Sequence, residues 1–332
     1  MKVIRSLLNL SLLTSITSSS SSITSSSTSS AMKKITLLTF DVDGTLIHGS
    51  SQQAEYSAHA RAFGHAVGKV YANRDDYEIE CPTPLLKILP TNYHGCTDGL
   101  IALNLAKEAF GVEASDAFPK LQSVFRCMYE YFNQFDDQEA KKGIEILPGV
   151  HRTLSCLSSD KYKEHVYCGL VTGNVEGIAR KKMRSIGLTS FLTRKADDQN
   201  FEGLNDYSFL GGFGSDYCSG DIDDKERIYK DRGEQIMIAY KRAKTLLNKN
   251  EKIVRVVHIG DAPADVLAAK YFADRVQTEV TVGCIGVATG KFDAKTLENL
   301  CGEAVPDVWE PVVLEKGIDD DLFITHCRIE HD

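Results

Sequence analysis

The sequence predicts an α/β fold, a parallel sheet covered by helices on both faces and opened after its first strand by a long helical insertion. Three observations predict it. Short apolar runs of strand length alternate with stretches whose apolar residues recur every three or four positions. The runs at 35–40, 166–171 and 254–259 each stop at a polar cluster, Asp41 with Asp43, Thr172 with Asn174, and Asp261 with Asp265. Between the first and second runs, residues 49–147 read as an all-helical insertion with a polar, proline-containing connection over 73–91.

Taken in order, residues 1–31 stand outside the fold. They hold thirteen serines, four threonines and no acidic residue, with Lys2 and Arg5 ahead of a short apolar stretch at 7–13. That pattern suits a transit peptide, and also a secretory leader or a tail with no address. It suggests an organelle, plastid or mitochondrion, with the cytoplasm as the alternative. The run at 35–40 reads as a buried strand. In the insertion, Ala54, Ala58, Phe63, Ala66, Val67 and Val70 mark a first helix. Leu100, Ile101, Leu103, Leu105 and Ala106 mark a second, and Leu121, Val124, Phe125, Met128 and Phe132 a third. Lys141-Lys142-Gly143 ends the third. Strand–helix alternation resumes at Leu147 and continues through strands at 166–171, 254–259 and 280–288, with a weaker one at 209–214. A helix over 178–186 stops at Gly187, and a long basic helix spans 226–249. After Asp307 no pattern is legible. The expected organisation is a leader at 1–31, a core of 32–48 plus 148–320, a helical cap at 49–147, and a tail at 321–332.

Composition narrows the function. The 332 residues are 42% apolar and 25% charged, with a net charge of -8. An acidic chain without a basic run is poorly suited to nucleic acid. No run is long enough to span a bilayer. Nine cysteines without a Cys-x-x-Cys pair read as reduced thiols.

The chemistry gathers at strand ends, where open parallel sheets bind ligands. Asp41 and Asp43 are spaced two apart. If the strand continues through them they point the same way, and two like charges there are costly unless something binds them. Asp-Val-Asp-Gly also suits a plain strand-end turn. Asp265 follows Asp261 by four residues, which places both carboxylates on one side of a helix start.

This set resembles the haloacid dehalogenase superfamily, and within it the magnesium-dependent phosphatases with a helical C1 cap of the phosphoglycolate phosphatase type. The resemblance runs from Ile35 to about Val313. It rests on Asp41-Val42-Asp43-Gly44-Thr45, on Leu170-Val171-Thr172-Gly173-Asn174, on Gly260-Asp261 through Asp265, and on the position of the insertion. It implies a Rossmann-like, five-stranded parallel sheet with Asp41 at the end of the central strand. It implies Asp41 as nucleophile and Asp43 as general acid, then base, with a raised pKa. Asp41 and Asp261, the backbone carbonyl of Asp43, and Asp265 in support would hold Mg²⁺. Thr172, Gly173 and Asn174 would bind the phosphoryl group. The family's basic residue has no tidy counterpart. Lys225, Arg227, Lys230 and Arg232 compete, and Arg232 is favoured. In the insertion, Gly95-Cys96-Thr97-Asp98 resembles an element that enters substrate binding or cap closure, while Thr97 or Asp98 equally suits a helix N-cap. His48 and His94 are the histidines nearest the expected site.

The implied activity is hydrolysis of a small phosphorylated metabolite, phosphoglycolate-like, through an aspartyl-phosphate. Alternatives are a β-phosphoglucomutase-like phosphosugar mutase, a pyrophosphate or nucleotide hydrolase, and a catalytically silent binding member. Asp43 argues against carbon–halogen hydrolysis.

Overall fold

The computed structural model describes residues 32–49, 57–74, 95–194 and 208–330. The leader at 1–31 and His94 lie outside the described residues. The chain forms β1 (Lys33–Phe40) and β2 (Ile47–Gly49), then the insertion helices α1 (Ala58–Ala72), α2 (Asp98–Phe110) and α3 (Leu121–Asn133). It returns through β3 (Ile144–Ile146), α4 (Val150–Leu157), β4 (Val166–Thr172) and α5 (Glu176–Ser185). There follow β5 (Gly211–Phe213), α6 (Arg227–Leu246), β6 (Glu251–Gly260), α7 (Pro263–Val276), β7 (Thr281–Val287), α8 (Ala294–Cys301), β8 (Trp309–Leu314) and α9 (Phe323–Cys327).

Six strands make one sheet in the order β5-β4-β1-β6-β7-β8, and every pairing is parallel. Side chains of β1 alternate between two cores, as a buried strand requires. Ile35 and Leu37 pack with Ile236 and Phe272 on one face, and Leu38 and Phe40 with Leu154 and Phe323 on the other. The sheet has one strand more than the expected five. β8 was illegible because Trp-Glu-Pro-Val-Val-Leu carries a proline, which cannot donate to a ladder. Pro311 is tolerated because β8 is an edge.

The insertion is helical but not wholly so. At its two ends β2 and β3 form an antiparallel ribbon, pairing Ile47 with Ile146 and Gly49 with Ile144. Three residues per strand are too few for a periodic signal. Within the insertion α1 packs on α3, and Ala62, Phe63, Leu103, Val124, Met128 and Phe132 build a core separate from those of the sheet. The seam between cap and sheet domain runs along α5. Lys181 Nζ donates to the Asn133 carbonyl at 2.9 Å, satisfying the open end of α3, and Arg184 pairs with Asp137 at 2.8 Å. Among the described residues no helix is long and apolar enough to cross a membrane, and the eight described cysteines are all free.

Candidate active site

The carboxyl ends of β1, β4 and β6 are neighbours because those strands are adjacent in the sheet. Their terminal side chains open into one cavity of about 450 Å³ beneath the cap. Asp41, Asp43, Thr172, Gly173, Asn174, Asp98, Arg232 and Asp261 all line it. Asp265 sits behind Asp261, fully buried, where its carboxylate caps the start of α7 by accepting the Ala262 N–H at 3.0 Å.

β1 stops at Phe40, so the two aspartates do not continue a strand with a shared face. Gly44, at φ +97°, turns the chain, and a side chain there would overlap the Asp261 carboxylate. Asp41 turns to Arg232, whose Nη1 donates to Oδ1 at 2.7 Å. Asp43 turns to the opposite wall. Its Oδ1 and Oδ2 both accept from Lys182 Nζ at 2.9 Å, and Oδ2 accepts from Asn174 Nδ2 at 3.0 Å. Asn174 completes the triangle by accepting from Lys182 at 2.8 Å.

Of the four basic candidates Arg232 alone lies in the cavity wall. Lys225 is exposed, Arg227 pairs with Asp224 and Lys230 with Glu226. Arg232 is 2% exposed and also donates to the carbonyls of Val171, at 3.0 Å, and Gly95, at 3.2 Å. Its planar fork therefore ties Asp41, β4 and the cap together. Asp231 anchors the same helix turn by accepting from the Ser219 N–H and hydroxyl.

Asp41, Asp261 and Asp265 bring carboxylate oxygens within 4.8 Å of one another, all buried. Burial first, then Asp265 and Asp41, push the Asp261 carboxyl up to about 8. Burial lifts Asp41 to about 6 against the pull of Arg232. Asp265 is also penalised by burial, but Arg232 and His258 outweigh that and hold it below the usual range. Three buried carboxylates beside one guanidinium leave uncompensated negative charge. The donor set is all hard oxygen, which fits a divalent cation such as Mg²⁺. Thr45 Oγ1 orients Asp261 at 3.3 Å, and a Cβ at Gly290 would overlap that carboxylate. The Asp43 carboxylate is not part of this cluster.

The expectation of a raised Asp43 pKa is reversed. Burial does push it up, but Lys182, His59 and Asn174 together bring it below the ordinary carboxylate value. Lys182 was missed because Arg180-Lys181-Lys182 reads as a basic helical run. The available signal was its place one turn after buried Ile178 on the stripe of α5 that faces inward. The Gly-Cys-Thr-Asp element divides its work. Thr97 is the N-cap of α2, its Oγ1 accepting from the Leu100 N–H at 3.2 Å. Asp98 bridges to the sheet domain, its N–H donating to the Gly173 carbonyl at 2.7 Å and its Oδ2 accepting from the Val175 N–H at 2.8 Å. Gly173 has to be glycine here, since a side chain would overlap the Cys96 carbonyl. His48 stands at the cavity mouth, paired with Glu145 across the ribbon. His59, which sequence reasoning passed over, lines the cavity from α1.

A family model described as a haloacid dehalogenase-like hydrolase matches residues 35–272. No curated protein matches the chain. Among solved structures, the chain is similar to an archaeal beta-phosphoglucomutase from the hyperthermophilic Pyrococcus sp. strain ST 04. The two are 14% identical, the match covers 81% of this chain and 99% of the other, and the TM-score is 0.29.

Proposed function

Since the chain belongs to the haloacid dehalogenase-like hydrolase family, we propose that it hydrolyses a small phosphate monoester, phosphoglycolate-like in scale, through an aspartyl-phosphate on Asp41. One observation carries the reading. A buried carboxylate at the end of β1 is held between an arginine fork and two further carboxylates, and it faces the cavity beneath the cap.

Asp41 is the nucleophile. Its oxygen bonds to phosphorus as the bond from phosphorus to the ester oxygen breaks. Arg232 fixes the orientation of Asp41 and offsets charge on the phosphoryl oxygens. The Thr172 hydroxyl hydrogen remains to donate to a phosphoryl oxygen, because its Oγ1 already accepts from the Asn174 N–H at 3.3 Å. Asp43 handles the proton. It takes up the proton that a monoanionic ester brings, passes it to the departing alcohol oxygen, and then removes one from the water that splits the aspartyl-phosphate. Alcohol and inorganic phosphate leave, the phosphate taking the proton from Asp43, and both aspartates are regenerated. Asp41, Asp261 and Asp265, with the backbone carbonyl of Asp43, would hold Mg²⁺, which supplies Lewis-acid neutralisation of phosphoryl charge. Asp98 and Arg232 tie the cap to the strand ends, which supports a site screened from bulk water.

A phosphate-release panel on residues 32–332 tests this, with phosphoglycolate, sugar phosphates, nucleotides and pyrophosphate, with Mg²⁺ or EDTA. The expected result is Mg²⁺-dependent release from a small monoester, reduced at least ~1,000-fold in Asp41→Asn. Release confined to pyrophosphate or nucleotides would replace it with an anhydride hydrolase, and isomerisation of β-glucose 1-phosphate without release with a mutase. Release that survives Asp41→Asn would remove the assigned nucleophile.

A further inference from the structure

The proposed chemistry leaves His59, on the cavity wall, without a task. His59 lies in the first turn of α1 and presents its ring to the same space as Asp43 and Lys182. The ring is held on three sides. It stacks on Phe63 with centroids 5.2 Å apart and meets the edge of Phe132 at 6.3 Å. Its Nε2 lies 3.1 Å from Asp98 Oδ2.

That last contact fixes the tautomer. A carboxylate only accepts, so Nε2 carries the hydrogen and Nδ1 of the neutral ring presents a lone pair. Nδ1 has no hydrogen-bond partner among the described residues. Asp98 cannot easily release the ring. Its side chain is 3% exposed, and the same Oδ2 accepts the Val175 N–H, just after the segment that would grip the phosphoryl group. His59 is therefore tied to the sheet domain through Asp98, although both belong to the cap. An oriented acceptor in a cavity calls for a donor on the occupant, since an acceptor left unpaired when the occupant displaces water is costly.

We propose that His59 is a substrate-binding residue whose Nδ1 accepts a hydrogen bond from a free hydroxyl on the organic part of the phosphate ester. The substrate class is then a phosphomonoester of a polyol or hydroxy acid, rather than a plain alkyl phosphate or a two-carbon phosphoacid without a hydroxyl. The inference rests on the phosphatase reading above and narrows its substrate.

The test compares matched pairs that differ by one hydroxyl: propane-1,2-diol 1-phosphate against n-propyl phosphate, and 3-phosphoglycerate against 3-(phosphonooxy)propanoate. p-Nitrophenyl phosphate serves as a general reporter. In the unaltered enzyme at least one hydroxylated member should have a kcat/KM about tenfold or more above its partner. His59→Phe keeps the stacking and removes the nitrogens. It should bring that ratio close to one, chiefly by raising KM for the hydroxylated member, and the change is read in the ratio, with the deoxy member and the reporter as the reference for any general change in turnover. A ratio near one in the unaltered enzyme, with the reporter hydrolysed, overturns the role of His59 and leaves the phosphatase reading standing. Equal loss on both members in His59→Phe assigns the ring to packing and overturns it as well. A silent reporter in the unaltered enzyme removes the phosphatase reading, and this inference with it.

Discussion

Lys182 and Asp43 form an ion pair whose two ends meet very different surroundings, and the asymmetry makes a quantitative prediction. The Lys182 side chain is 4% exposed, whereas that of Asp43 is 51% exposed toward the cleft. Removing either partner breaks the same ion pair but strands a different charge. In Asp43→Asn the ammonium stays buried with only neutral amide oxygens, those of Asn174 and of the new side chain, as acceptors. An uncompensated buried charge of this kind costs about 3 kcal/mol. In Lys182→Met the carboxylate is left facing solvent, keeps the Asn174 amide, and loses charge-assisted bonds worth about 1 kcal/mol at such exposure. The aspartate variant should thus be the less stable by about 2 kcal/mol, and the double variant should be no worse than Asp43→Asn alone. Urea unfolding of metal-free protein followed by the single tryptophan, Trp309, which is buried in the sheet, measures all three. Asp43 titrates below its unfolded value of 3.8, so the pair contributes fully above that pH and is lost as pH falls through the lower folded value. The gap between the unaltered protein and Lys182→Met should close on that acid side. Equal costs for the two single variants, or costs that simply add, would refute the reasoning.

Three further outcomes are expected. With EDTA present, the raised Asp41 and Asp261 carboxyls make stability fall as pH rises through about 6 and about 8, and Mg²⁺ should reverse the loss in thermal unfolding. Asp261→Asn should flatten the upper part of that profile and abolish the Mg²⁺ response; a Mg²⁺ shift that survives would place the ion elsewhere. Arg232→Met strands Asp41 and Asp265 and should cost about 3 kcal/mol or more in urea unfolding, together with at least ~100-fold in phosphate release. Arg232→Lys should recover part of the stability but little activity, since the fork to Val171 and Gly95 is gone. Gly173→Ala pushes against the Cys96 carbonyl and should cost about 1–3 kcal/mol while raising KM more than it lowers kcat; an unchanged KM would detach this contact from the site.

What was legible in the sequence followed from locality. An apolar run that stops at a polar group announces a buried strand and its functional end within a few residues, and the ends of β1, β4 and β6 were read that way. Arg232 could be named only as one of four because charge on a helix does not say which way it faces. The packing of α6 decides it. The Asp43 pKa was misjudged for a related reason. The neighbour visible in the sequence is Asp41, but the partner that decides the matter is Lys182, which is 139 residues away. His59 sits one position from the apolar stripe of α1, and nothing local marks it until Asp98 is brought beside it. The three-residue ribbon strands and the proline-containing β8 lack the periodicity on which strand recognition depends.

The β2–β3 ribbon has a consequence for how this chain can be altered. Because Gly49 faces Ile144 across a ladder, residues 50–143 leave and re-enter the sheet domain at adjacent points. The entropy of closing such an excursion grows only with the logarithm of its length, by about 0.6 kcal/mol per doubling. The sheet is nearly indifferent to how many residues the ribbon carries. What constrains the insertion is the seam it must match, Asp98 against Gly173 and Val175, and Asn133 against Lys181. The ribbon is thus a graft point. A cap of different length and pocket, joined at these two strands and keeping those few seam contacts, would change what the enclosed space admits while leaving the strand-end carboxylates in place.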